Sequence, residues 1–178
     1  MNINVEITLY PLTKDDLIPS ERKKLIEFLM YCYNEPLETF DLTHPESNHI
    51  ILAKTGDRII GISCSYVRNM SINSVYFIAA QVGAVAVHPD FRGSHLVTKM
   101  IGLLHALFKK EGVNASFLFA YEPKYYISSG YKMLNNPMRF YDRKSNTWKQ
   151  FVWHNSMYRE FGNFELPSGL IEFKGEVF

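Results

Sequence analysis

Residues 75–110 read VYFIAAQVGAVAVHPDFRGSHLVTKMIGLLHALFKK, and the period of the apolar residues changes in the middle of that stretch. Val75–Val87 is a long extended run rich in Val and Ala. It stops at His88-Pro89, because proline has no N–H to give to a central ladder. Phe91-Arg92-Gly93 is a turn. From Ser94 to Lys110 the period is helical: Leu96, Met100, Leu103 and Leu107 form one stripe, with Val97, Ile101, Leu104 and Phe108 beside it. Lys109 and Lys110 suit the negative end of a helix dipole, and Gly112 suits a C-terminal stop. Ala115–Tyr121 is again a short apolar strand. Strand, helix, strand in this order predicts a βαβ unit with a right-handed crossover.

Outward from that unit the pattern is mostly antiparallel. Ile3–Leu9 reads as a strand, and Ser20 as the cap of a helix running to Tyr33 with Leu25, Ile26, Leu29 and Met30 on one face. Asn34–Pro45 is a polar loop. His49–Lys54 and Arg58–Val67 flank Thr55-Gly56-Asp57, a β-hairpin signature. On the other side, Pro123 opens a short helix that Gly130 ends, and Tyr131–Leu134 is extended. Arg139–Asp142 and Trp148–Trp153 pair across Arg143–Thr147, and Gly169–Phe178 is a terminal strand. The fold class expected is a mixed α/β one, with antiparallel hairpins around one βαβ unit. No internal repeat or linker divides it, and a chain of 178 residues fits one domain, 1–178.

Composition narrows the partners. A formal net charge of +1 gives no reason to expect nucleic acid or an anionic membrane. No run approaches the ~20 apolar residues that span a bilayer, and Asn2, Asn4 and Glu6 interrupt any signal-peptide pattern, so a cytoplasmic location is the default expectation. The two cysteines, Cys32 and Cys64, lack metal-ligand spacing and sit in apolar runs, where a thiol is more often a small buried hydrophobe. No metal is expected. Aromatic residues make up 15% of the chain, enough to fill a core and also to line a cleft. Trp148, Trp153 and Phe178 read equally as an oligomer contact or as core, so both monomer and homodimer stay open.

The chemistry lies at the turn after Val87. The first four N–H groups of a helix have no partner within it, and the dipole adds positive charge there, so the end of a strand–turn–helix is a seat for an anion such as a diphosphate. Arg92 adds a full charge, and Gly93 and Ser94 keep the backbone accessible. The sequence Val85-Ala86-Val87-His88-Pro89-Asp90-Phe91-Arg92-Gly93 resembles the signature of the GNAT acyltransferase superfamily. Downstream, Phe119-Ala120-Tyr121-Glu122-Pro123 and Tyr125-Tyr126-Ile127-Ser128-Ser129-Gly130-Tyr131 resemble its second signature. The resemblance covers 75–134 and implies a GNAT-like fold: a central, mostly antiparallel sheet around a βαβ unit that binds acyl-coenzyme A, with flanking helices.

By that resemblance, the coenzyme pyrophosphate lies on Arg92 and on the amides of Gly93, Ser94, His95, Leu96 and Val97. The backbone of Val85 and Val87 faces the pantetheine and thioester, in a cleft opened where Val75–Val87 splays from Ala115–Tyr121. Tyr126 matches the tyrosine that protonates the leaving thiolate. Two positions depart from the family pattern. Glycine is expected where His95 stands, and glycine or alanine where Val97 stands, because small residues let a phosphate approach the backbone. His95 either donates to a phosphate or is an exposed first-turn histidine. Val82–Val87 holds no carboxylate, and Gln81, His88 and Glu122 are the nearest polar candidates for a base. None is named as one.

The implied function is N-acyl transfer, most simply of acetyl, from acyl-coenzyme A to an amine by direct attack. The alternative is a module of the same fold that binds acyl-coenzyme A or a phosphopantetheine carrier with little chemistry. The acceptor, an amine-bearing small molecule or peptide, would meet the Ser20–Tyr33 helix and the loop after it. Tyr31, Tyr33, Phe40, Glu35, Glu38 and Asp41 are the candidate lining there, each also readable as surface.

Overall fold

The computed structural model describes residues 6–34, 47–173 and 177. These fall into two compact units, one of Met1–Tyr66 with Ala84–Ala106, the other of Val67–Gly83 with Leu107–Phe178.

In the first unit, β1 (Thr8–Leu12), β2 (Ser47–Thr55) and the leading part of β3 (Arg58–Ile72) hydrogen-bond in antiparallel order. The β2–β3 hairpin closes at Thr55↔Arg58, with Gly56 in the left-handed region at φ 54°. That turn is the one the sequence marks, because only glycine adopts such an angle freely. One face of these strands (Ile50, Leu52, Ile62 and Cys64) packs on Leu25, Phe28 and Leu29 of helix α1 (Pro19–Tyr33). Ser20 does not cap α1. Ile18 is the N-cap, Pro19 takes the first helical position, and the Glu21 carboxylate accepts from the Ile18 N–H at 3.3 Å. Proline supplies a preset φ there and lacks an N–H that would be unpaired anyway.

The opposite face of β3 carries Gly61, Ser63 and Ser65, which alternate along the strand. A Cβ on Gly61 would stand 3.2 Å from Leu96 Cδ2 and 3.3 Å from Met100 Cε, both of helix α2 (Leu96–Lys110). The absence of a side chain at Gly61 is thus what lets α2 approach the strand. The buried apolar residues of α2 are Leu96, Met100, Ile101, Leu104 and Phe108, with His105 buried beside them, while Leu103 and Leu107 are only half-buried. The apolar stripe is therefore rotated by one row from the one the heptad-like spacing suggests.

The second unit orders its strands β6-β9-β5-β4-β3-β10-β7-β8. They are β4 (Val75–Val87, its leading part), β5 (Ala115–Phe119), β6 (Lys132–Met133), β7 (Met138–Asp142), β8 (Thr147–Phe151), β9 (Ser156–Glu160) and β10 (Ile171–Phe173). The β4–β5 and β10–β7 pairs are parallel, while the β5–β9, β6–β9, β7–β8 and β10–β3 pairs are antiparallel, giving the mixed, mostly antiparallel sheet expected. Its core gathers Met70, Ile72, Phe77, Ala79, Phe117, Leu134, Ile171 and Phe173. Helix α2 ends as Gly112 turns left-handed at φ 69°, and the Val113 N–H bonds back to the Phe108 carbonyl at 3.0 Å. That is the glycine stop read from sequence.

Several expected boundaries move. The first strand is Thr8–Leu12 rather than Ile3–Leu9, and residues 3–5 and 35–45 of the expected strand and loop lie outside the described residues. Helix α2 starts at Leu96 rather than Ser94, because His95 is left-handed. Strand β5 stops at Phe119, helix α3 covers only Lys124–Ile127, and the terminal strand covers Ile171–Phe173 among the described residues, with 174–176 and 178 of the expected Gly169–Phe178 lying outside them. Strand β9 was not anticipated, because Met157 is fully buried while its neighbours Tyr158–Glu160 are half-buried, which blurs the two-residue alternation.

The Ser63 and Ser65 hydroxyls are buried without a hydrogen-bond partner among the described residues. A buried hydroxyl left unpaired costs about 1–3 kcal/mol. Ser65→Ala is therefore expected to leave stability unchanged or to raise it, and Gly61→Val to lower it by about 1–3 kcal/mol through overpacking against α2. Urea unfolding of the two variants checks both signs.

Candidate active site

The turn between β4 and α2 is built from the chain's own hydrogen bonds. After Val87, Pro89–Phe91 makes one turn of 3-10 helix, with the Arg92 N–H on the Pro89 carbonyl at 3.2 Å. Ser94 Oγ donates to the Phe91 carbonyl at 2.6 Å. Gly93 has φ 80° and His95 φ 58°. The His95 carbonyl accepts from the Lys99 N–H at 3.1 Å, so His95 is the residue from which α2 departs. The amides of Gly93, Ser94, His95, Leu96 and Val97 donate to no other backbone group among the described residues. A row of unspent N–H groups next to left-handed residues, at the positive end of a helix, forms an anion-binding concavity.

His95 stands where the family pattern has glycine, and it keeps the left-handed backbone that glycine would adopt. Histidine is among the residues that enter this region more readily, whereas β-branched ones do not. The left-handed backbone at His95 is one that glycine adopts freely. What histidine adds is an exposed imidazole. A Cβ built on Gly93 would meet nothing within 4 Å, so that position lies open to an approaching group.

Arg92 is exposed and its Nε donates to the Val87 carbonyl at 3.3 Å. The Val85 carbonyl accepts from the Tyr33 hydroxyl at 2.6 Å. Both carbonyls that the resemblance assigns to the pantetheine arm thus hold a protein donor already. The β4–β5 ladder ends at Val82↔Leu118, while β4 runs on to Val87, and Ala84 takes φ 49°. A left-handed alanine inside a strand turns the following peptide groups away from the ladder direction.

His88 does not stand ready as a base. Its Nδ1 accepts from the Asp90 N–H at 3.2 Å, its Nε2 lies 2.9 Å from the Arg58 guanidinium, and its ring stacks on Tyr31 at 5.3 Å. Arg58 also pairs with Asp90 at 3.2 Å. The imidazole is therefore a brace for the turn. Tyr31 and Tyr33, expected as acceptor-pocket aromatics, hold scaffold contacts, Tyr31 on the His88 ring and Tyr33 on the Val85 carbonyl. Glu122 is exposed and pairs with Lys124, and Gln81 is fully buried. Phe40, Glu35, Glu38 and Asp41 lie outside the described residues. The Tyr33 and Arg58 contacts were not read from sequence, and no local pattern marks a side chain that reaches 52 residues along the chain, as Tyr33 does.

In the second unit, α3 places Tyr126 half-buried and Tyr125 exposed. The Tyr126 ring meets Tyr131 edge-on at 6.2 Å, and the buried Tyr131 hydroxyl is held by Ser116 Oγ at 2.7 Å. Burial pushes the Tyr126 phenol up to about 12. Its hydroxyl bonds to no protein group among the described residues, so it keeps its proton and has it to give. Burial also pushes the Cys64 thiol up to about 12 and raises that of Cys32, so neither is an activated nucleophile. No group of His, Cys, Asp and Glu suited to a metal occurs among the described residues.

The chain matches the family described as the acetyltransferase (GNAT) domain over residues 15–134. It belongs to the GNAT acetyltransferase family. Acyl-coenzyme A is the co-substrate of this family. No curated protein matches the sequence. Among solved structures, the GNAT family N-acetyltransferase YhbS from Escherichia coli, in complex with CoA, superposes with a TM-score of 0.65 at 11% identity, covering 98% of this chain and 93% of that one. A GNAT family acetyltransferase from Brucella melitensis, in complex with acetyl-CoA, gives 0.62 at 13% identity over 94% and 96%. A probable N-acyltransferase from Enterococcus faecalis gives 0.62 at 19% identity, covering 72% of this chain. This GNAT chain spans about a third of the length of that relative, which is covered to 33%. No described helix is long and apolar enough to cross a membrane.

Two expectations follow for the GNAT chain. His95→Val is expected to lower stability by about 1–2 kcal/mol, the cost of a poorly tolerated left-handed residue, while His95→Gly does not; thermal unfolding of both checks this. For Tyr126, the folded value of about 12 stands above the ordinary 10.0, so its share of stability is whole below pH 10 and is lost as pH rises through 12. Denaturant unfolding at pH 8 and pH 11 should show a smaller drop for Tyr126→Phe than for the parent chain.

Proposed function

We propose that this chain transfers an acyl group, most simply acetyl, from acyl-coenzyme A to an amine. The observation that carries this reading is the turn Arg92–Val97, where five consecutive unspent amides, a left-handed glycine and a left-handed histidine open α2 beside an arginine. That donor set suits a pyrophosphate, whose oxygens accept from N–H groups and guanidinium alike. The CoA and acetyl-CoA complexes of the YhbS and Brucella melitensis relatives support the same guest for this turn.

In this reading the turn holds the coenzyme by its phosphates and the Val87 amide polarises the thioester carbonyl. The acceptor, once it has lost its proton to solvent, attacks the carbonyl carbon directly. A C–N bond forms, the C–S bond breaks, and Tyr126 gives its proton to the leaving thiolate, recovering one from the acylated nitrogen by way of water. A phenol raised to about 12 is the weaker acid for being buried, yet it is never ionised at neutral pH, so every molecule carries the proton that the thiolate needs. Direct attack agrees with two thiols that burial keeps protonated. The organisation of the chain as one catalytic domain and its location in the cytoplasm belong to the same reading.

One observation favours the slower alternative, a module that binds acyl-coenzyme A with little turnover. The Val85 carbonyl already accepts from the Tyr33 hydroxyl at 2.6 Å, and a pantetheine amide would have to share that acceptor. Calorimetry with acetyl-coenzyme A, followed by multiple-turnover assays against an amine panel, separates the possibilities. Arg92→Ala is expected to weaken binding about ten-fold, or ~1.4 kcal/mol. Tyr126→Phe is expected to bind normally and to lose turnover by about 10²-fold or more. No binding by the parent chain removes the proposal, and tight binding with no turnover on any amine moves it to the binding module.

A further inference from the structure

In the first unit a cavity of about 390 Å³ lies between the first turns of α1 and the hairpin end of β2 and β3, within the roughly 300–1,000 Å³ of small-molecule sites. None of its lining comes from the turn Arg92–Val97. The floor is apolar, with Leu17, Leu25 and Leu52 buried there. The rim carries charge of both signs, Asp16, Glu21 and Asp57 against Lys24 and Lys54. Two of those carboxylates are spent on the chain itself. Asp16 Oδ2 accepts from the Thr13 N–H at 2.6 Å and from the Thr13 hydroxyl at 2.8 Å, and Glu21 Oε2 from the Ile18 N–H at 3.3 Å. The other three charges are not spent. Among the described residues Lys24 and Asp57 make no hydrogen bond or ion pair. Lys54 is half-buried, and its ammonium meets the Tyr10 ring, 5.6 Å from the centroid, rather than a carboxylate. Lys54 and Asp57 flank the Gly56 turn, yet no ion pair joins them. A half-buried ammonium with only a ring beside it has its charge partly met.

We propose that this cavity seats a free α-amino acid with an apolar side chain. The ligand carboxylate meets the Lys24 and Lys54 ammoniums, its ammonium meets Asp57, and its side chain covers the three leucines. The interleaving of acids and bases selects for that chemistry. A plain anion at this rim meets carboxylates, and a plain cation meets ammoniums, whereas a zwitterion sets each pole against its opposite. Tyr10, 41% exposed, offers apolar ring surface at the mouth. The seat is separate from the coenzyme turn and does not depend on the acyl-transfer reading.

The test needs no coenzyme. The full chain is titrated calorimetrically near neutral pH with L-phenylalanine, with 3-phenylpropanoate, which lacks the ammonium, and with phenethylamine, which lacks the carboxylate. L-phenylalanine is expected to bind about three-fold or more tighter than either. The variants should split that preference by pole. Lys54→Met is expected to bring L-phenylalanine down towards phenethylamine, and Asp57→Asn to bring it down towards 3-phenylpropanoate. Both side chains lie at the rim, so urea midpoints close to the parent's are expected and show that the fold is kept. Arg92→Ala, which acts on the coenzyme turn, should leave the preference intact. No binding of L-phenylalanine, equal affinity for the three compounds, or a preference that survives Lys54→Met and Asp57→Asn would overturn the seat, as would its loss in Arg92→Ala.

Discussion

Between Val87 and Leu96 the chain must stop being a strand, reverse, and begin a helix. It does so through two left-handed residues, Gly93 and His95, with an arginine at the start of the turn. The amides from Gly93 to Val97 donate to no other backbone group among the described residues. The conformation costs something at a histidine, and it persists because both ends are fixed. Ser94 holds the turn at the Phe91 carbonyl, Arg58, Tyr31 and Asp90 brace His88, and Gly61 lets α2 lie close against β3. Strain kept in place by its surroundings is characteristic of sites that bind something.

The strand that leads into this turn has two characters. As far as Val82 it is an ordinary member of a parallel pair with β5. Beyond it, Ala84 turns left-handed, the Val85 carbonyl accepts from the Tyr33 hydroxyl and the Val87 carbonyl from the Arg92 guanidinium. Arg92 therefore does two things at once. Its Nε ties the turn to the end of β4, and in the proposed function its remaining N–H groups meet the phosphates.

In the second unit the same economy of groups appears with aromatics. Tyr131 spends its hydroxyl on Ser116 inside the protein, and next to it Tyr126 keeps its own. Burial raises both phenols, so proton donation rather than proton abstraction is what this corner of the unit supports. Before α3, the Tyr121 ring meets that of Trp153 edge to face at 5.7 Å, with the indole N–H on the Ala120 carbonyl and Asn155 Nδ2 on the Tyr121 carbonyl.

The sequence by itself determined what depends on neighbours along the chain. Val75–Val87, the β2–β3 hairpin, the Gly112 stop and the Arg139–Asp142 hairpin all follow from period, proline and glycine, which act over a few residues. It also located the candidate coenzyme turn, since Arg92, Gly93 and the start of a helix are contiguous. Only the tertiary structure decided what depends on residues far apart. That His95 would hold a glycine's backbone angle is decided by the anchoring of the turn at both ends, not by histidine's own preference. That Tyr33 would serve the Val85 carbonyl rather than a pocket, and that His88 would brace rather than accept a proton, depends on Tyr31, Tyr33 and Arg58 arriving from other elements. Strand β9, half-buried along most of its length, carries too weak an alternation to announce itself and is fixed by its pairing with β5 and β6. Local backbone preferences are written within a few residues, whereas the occupancy of a hydrogen-bonding group is settled only when the chain has closed around it.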